Sequence, residues 1–110
     1  MSVLSITKDS FKDMIGGPKP ALIEFYAPWC TYCRRIAPAF GKVAEQYADK
    51  LTVGQINIDV SPELAEAYQV EVVPTLVVFK NGEPVGDAVA PESKAKIEDL
   101  IRQYVEDEKE

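Results

Sequence analysis

The sequence predicts an α/β fold: a mixed central sheet with helices on both faces, in the order βαβαβα, then a β-hairpin, then α. Three observations carry that prediction. The near-continuous apolar run Ala21–Tyr26 suits a strand covered on both sides. Stretches with apolar residues three and four apart alternate with such runs, as amphipathic helices would. The strand-like Thr75–Lys80 runs directly into Asn81-Gly82, a strong hairpin signal. Strands interleaved with helices and closed by a hairpin imply a mixed sheet with helices on both faces. At 110 residues, with 46% hydrophobic and 27% charged, the chain has the apolar content to fold as one domain, residues 1–110, without added cross-links.

The elements follow in order. Residues 2–6 read as a short strand and 9–15 as a short helix stopped by Gly16-Gly17. Pro18-Lys19-Pro20 then turns the chain into Ala21–Tyr26. Over residues 30–47 the stripe Ile36, Ala37, Phe40, Val43, Ala44 and Tyr47 defines a helix. Pro38 lies inside it and removes one backbone donor, which predicts a kink about a turn after the cysteines. Residues 51–59 form the next strand. Ser61 as N-cap and Pro62 at the first helical position open a helix that runs to about residue 68. After Thr75–Lys80 and its turn, a strand over 85–89 returns. Ser93 can cap the last helix, whose apolar positions are Ile97, Leu100, Ile101, Tyr104 and Val105.

The formal charge of −6 argues against a nucleic-acid partner, and the tail EDEKE at 106–110 supplies several of those charges as a solvated helix end. No apolar run approaches the length of a membrane span. The opening MSVLSITKDSF has neither a basic n-region nor a long apolar h-region, and the C-terminus carries no retention signal. A cytoplasmic protein is therefore expected.

Both cysteines of the chain, Cys30 and Cys33, fall in EFYAPWCTYCRR at residues 24–35. As a structural staple, a four-residue loop would contribute only about 2 kcal/mol by chain entropy. A cytosolic pair would also usually be kept reduced. As a zinc site, two cysteines and no histidine fall short of four ligands, so only a dimer or a bridged iron–sulfur cluster could complete the set, and no metal is expected. The absence of histidine also removes Cys–His nucleophilic catalysis. A reaction centre fits better. Cys30 stands where a strand hands over to a helix, so its sulfur meets unpaired N–H groups and the positive end of the helix dipole, which favour thiolate. Cys33 lies one turn on, on the same face, within reach of a disulfide. Arg34 and Arg35 can add positive potential or point into solvent.

WCTYC after LIEFYA, with VVPT later, resembles the thioredoxin superfamily, and the resemblance covers nearly the whole chain. Its landmarks come in register: WCxxC, a proline eight residues after Cys30, NID at 57–59, VPT at 73–75 and FKNGE at 79–83. It implies a thioredoxin fold and a dithiol–disulfide oxidoreductase that reduces protein disulfides, with Cys30 as nucleophile and Cys33 as resolving cysteine. It implies a cis peptide before Pro74, leaving Val73 backbone groups for a substrate strand, and Trp29 on the substrate-facing surface. Glu24 matches the family's buried acid, the proton acceptor for Cys33, with desolvation raising its pKa toward neutrality. The implied partners are protein disulfide substrates and a flavin-dependent thioredoxin reductase. A monomer needing no bound cofactor is expected. A disulfide oxidase or isomerase and a redox-inactive interaction module remain as alternatives.

Four departures from the family pattern matter. Thr31-Tyr32 replaces the Gly-Pro of most thioredoxins and the Gly-His of protein disulfide isomerase domains, and this dipeptide tunes thiolate stability and hence potential. Tyr32 matches the tyrosine of glutaredoxins. Gln55 stands where many thioredoxins carry a buried lysine paired with the acid, which predicts a Glu24 pKa raised further than with lysine present. Ala90-Pro91 replaces the glycine-containing loop bordering the substrate groove, restricting backbone approach. EFYAPWC is closer to isomerase domains than to typical bacterial thioredoxins.

Overall fold

In the computed structural model, which describes residues 3–105, a five-stranded sheet has helices on both of its faces. The elements are β1 (Leu4–Ser5), α1 (Phe11–Ile15), β2 (Ala21–Tyr26), α2 (Thr31–Gln46), β3 (Thr52–Asn57), α3 (Pro62–Ala67), β4 (Thr75–Lys80), β5 (Glu83–Val89) and α4 (Lys94–Tyr104). The sheet order is β1-β3-β2-β4-β5. Strands β1, β3 and β2 run parallel, and β4 and β5 pair antiparallel, so the sheet is mixed as the sequence predicts.

Side-chain alternation along β2 sorts the core into two halves. Ala21, Ile23 and Phe25 face α1 and α3, where they pack with Phe11, Ile15, Ile56, Val77 and Phe79. Leu22 faces α2 and α4 and packs with Phe40, Val43, Leu76, Val78, Ile97 and Ile101. Each of these large buried side chains contributes on the order of 1.5–3 kcal/mol relative to exposure. The same alternation puts Glu24, two residues after Leu22, beneath α2.

Several boundaries differ from the sequence reading, each for a local reason. α1 starts at Phe11 because Thr7, Asp9 and Ser10 are taken into a turn, with the Ser10 N–H on the Thr7 carbonyl and the Thr7 N–H on Ser10 Oγ. β3 ends at Asn57, whose carbonyl accepts from Val60 and Ser61 and whose side-chain oxygen accepts the Asp59 N–H at 2.9 Å. Ser61 does precede α3, but its side chain is buried and makes no capping bond. β5 starts two residues early, at Glu83. Asn81 (φ 56°) and Gly82 (φ 80°) form the tight left-handed turn that lets Lys80 pair with Glu83. Ser93 caps α4 through the Lys96 N–H. α2 continues unbroken through Pro38, which lies on its exposed face. Ser2 and the 106–110 tail lie outside the described residues.

Candidate active site

The site forms where β2 hands over to α2. After Tyr26 the chain turns through Ala27–Trp29, and the Cys30 N–H donates to the Ala27 carbonyl at 3.1 Å. Cys30 then takes the N-cap position of α2 in an extended conformation. Its sulfur accepts the Cys33 N–H at 3.0 Å, so one orphan donor of the helix terminus points at sulfur. Such a contact strengthens when the sulfur carries negative charge. The two cysteines are paired with their Cα atoms 5.2 Å apart. Cys30 is 8% exposed and Cys33 4%, so Cys30 is the more accessible sulfur.

Beside them the Val73–Pro74 peptide is cis, and the Val73 carbonyl oxygen lies 3.7 Å from Cys30 Sγ. Among the described residues the Val73 N–H has no hydrogen-bond partner. Trp29 is 64% exposed, and its indole N–H donates to Asp59 Oδ1 at 3.2 Å. Val60 and Val72 are likewise exposed, the one next to Asp59 and the other next to Val73. Exposed apolar side chains thus adjoin Asp59 and Val73 in the chain. Sequence reading missed Asp59, Val60 and Val72 as site residues. NID at 57–59 marked the first and VVPT at 72–75 held Val72, whereas no motif pointed to Val60.

Of the dipeptide between the cysteines, Thr31 is exposed and Tyr32 half-buried. The Tyr32 hydroxyl reaches the Pro91 carbonyl at 3.0 Å and the Ala90 carbonyl at 3.4 Å. Arg34 turns back along the loop, donating to the Pro28 carbonyl at 2.7 Å and approaching Thr31 Oγ1 at 3.5 Å. Its hydrogen bonds go to the loop and to Thr31.

Glu24 is 3% exposed and sits across from Gln55 in the β2–β3 register. Both line a pocket of about 380 Å³ whose wall also includes Cys33, Pro28 and Arg34. Desolvation pushes the Glu24 carboxyl up to about 7. Neutral Gln55 leaves that burial uncompensated by a cation from β3. Among the described residues no group of three His, Cys, Asp or Glu side chains converges to hold a metal, and no helix is long and apolar enough to cross a membrane.

A family model for thioredoxin matches residues 2–103 of this chain, a span that contains Cys30, Cys33 and Pro74. The chain belongs to the thioredoxin family. It is 37% identical over 106 residues to the thioredoxin of Porphyra purpurea, an alignment covering 96% of this chain and 99% of the relative. It is 37% identical over 97 residues to the thioredoxin of Alicyclobacillus acidocaldarius, covering 88% and 92%. It is 38% identical over 99 residues to the thioredoxin of Mycolicibacterium smegmatis, covering 87% and 88%. Thioredoxin membership and a cysteine pair at disulfide distance make this a dithiol–disulfide oxidoreductase with protein-disulfide reductase activity. Its substrates are protein disulfides.

Proposed function

We propose that this thioredoxin-family protein reduces protein disulfides through a two-step exchange in which Cys30 attacks and Cys33 resolves. The Cys30 thiolate attacks one substrate sulfur; a Cys30–substrate disulfide forms, and the other substrate sulfur leaves as thiolate. Cys33 then gives its proton to Glu24, and its thiolate attacks Cys30 Sγ. The mixed disulfide breaks, the substrate sulfur first attacked leaves as thiolate, and the protein keeps the Cys30–Cys33 disulfide.

The observation that carries the assignment is the Cys33 N–H donated to Cys30 Sγ at the start of α2, which favours charge on Cys30 rather than Cys33. Greater exposure of Cys30 supports the same order of attack. The role of Glu24 is supported by its raised pKa of about 7, suited to a base near neutrality, and by the pocket it shares with Cys33. That pocket holds several water volumes, so a proton can pass directly or through solvent. Trp29, Val73 and Pro74 would receive the substrate strand, with Thr31, Tyr32 and Ala90 at its border.

The proposal extends to a single domain acting as a monomer in a reducing, cytoplasmic setting and recycled by a flavin-dependent thioredoxin reductase. Family membership supports these points, as does the use of both cysteines in the redox pair with none left for a structural bridge. The test is insulin-disulfide reduction. Wild type should turn over, Cys30→Ser should be inactive, and Cys33→Ser should accumulate a mixed disulfide that maps to Cys30 by peptide mass. Turnover by Cys30→Ser would overturn the assignment.

A further inference from the structure

The two-step exchange leaves the far end of the Tyr32 side chain without a role. Its ring packs against the cluster of Ala27, Cys30 and Cys33, while its hydroxyl crosses to the loop between β5 and α4. There it donates to the Pro91 carbonyl at 3.0 Å, with the Ala90 carbonyl at 3.4 Å. One side chain thus joins the redox pair to a segment far along the chain.

Ala90 carries two further observations. Its φ is +48°, in the left-handed region that an L side chain resists and glycine accepts freely. Its N–H donates to the Pro74 carbonyl at 2.7 Å, which stitches the loop to the residue beside Val73. The Ala90 N–H is therefore engaged inside the molecule, and its carbonyl shares the Tyr32 hydroxyl with that of Pro91. A loop that must hold an alanine in this conformation needs outside contacts to keep it there. Tyr32 and Pro74 supply them.

We propose that Tyr32 is a specificity-determining positioning residue: its hydroxyl clamps left-handed Ala90 and makes the Ala90–Pro91 loop a rigid wall of the substrate groove. With the wall fixed and its polar groups engaged, an incoming strand finds free backbone partners at Val73 and packs against a preformed surface. Without the clamp the loop wanders, and a protein substrate must order it on binding. A small disulfide, which does not span the groove, is less sensitive. The inference rests on the proposed docking of substrate at Val73.

The experiment compares wild type, Tyr32→Phe and the double variant Tyr32→Phe/Ala90→Gly. Each is assayed with insulin and with a small aromatic disulfide, and Ala90 amide exchange is measured without substrate. Phe keeps the ring and removes only the hydroxyl. Tyr32→Phe should lower the ratio of kcat/KM for insulin to that for the small disulfide roughly two- to tenfold, the effect of losing one net hydrogen bond. The change should lie mainly in KM for insulin, and Ala90 amide exchange should speed up. Adding Ala90→Gly, which suits the left-handed conformation, should bring the ratio back toward wild type. An unchanged ratio, equal loss with both substrates, unaltered Ala90 exchange, or no recovery on adding glycine would overturn the proposal. Failure of the docking reading has a different signature, since the Val73 amide would then gain no protection from exchange when insulin is trapped on Cys30 in the Cys33→Ser variant.

Discussion

Glu24 is a carboxyl that folding holds partly protonated. Its ordinary value of 4.5 rises to about 7 in the folded protein, so the native state keeps a proton that the unfolded chain gives up. The stability attached to that proton is fully present below pH 4.5 and is lost as pH rises to about 7. At about 1.4 kcal/mol per unit the loss is on the order of 3 kcal/mol. Glu24→Gln should therefore be more stable than wild type at pH 8 by up to that amount, with the advantage gone below pH 4.5. Urea unfolding at the two pH values checks this, and an equal difference at both would contradict it. Gln55→Lys should lower the Glu24 pKa by placing a cation across the register. A carbonyl-stretch or NMR titration showing Glu24 unchanged would count against the pairing. The sequence made this residue legible, because an acid inside an apolar strand must be either an edge residue or a buried one. Its shared pocket with Cys33 was not legible, since that depends on how α2 crosses β2.

At the scale of elements, propensity and turn chemistry located the frame well where the signal is local. β2 and β4 match their predicted bounds because uninterrupted apolar runs leave little choice, and Ser93 caps α4 as its position before a helical stripe suggests. Close approaches between elements stayed hidden, because a glycine does not announce its neighbour. Gly86 on β5 lies against the Tyr104 ring at the end of α4, and a Cβ there would overlap that ring. Tyr104 is further engaged through its carbonyl, which accepts from the Lys80 ammonium at 2.9 Å. Gly86→Ala should thus pry the end of α4 from the sheet and destabilise by about 1–3 kcal/mol. Thermal unfolding should show a fall in Tm of about 4 °C or more. An unchanged Tm would mean that Tyr104 swings aside freely. Gly54 on β3 plays the same part for Ile6, the residue after β1. The Tyr32 tie to the Ala90–Pro91 loop is a third contact of this kind, joining residues that local pattern leaves unrelated.

Across the whole molecule, the sheet order brings three distant segments to one end. β2 delivers Cys30 through α2, β4 begins just after Pro74, and β5 ends just before Ala90. Because β4 lies beside β2, the Val73 carbonyl reaches Cys30 Sγ. Strand order was open at the level of sequence, because element order alone does not say which strands are neighbours. This assembly is built to work as a reductant. It has one N–H on the Cys30 sulfur and no histidine between the cysteines to stabilise its thiolate further, as isomerase-type sites have. The most direct test is the Cys30–Cys33 reduction potential, measured by equilibration with a thiol–disulfide buffer of known poise. A reductant should give a value of about −270 mV, as thioredoxins do. A value of about −180 to −120 mV would contradict it and mark the protein as an oxidant or isomerase.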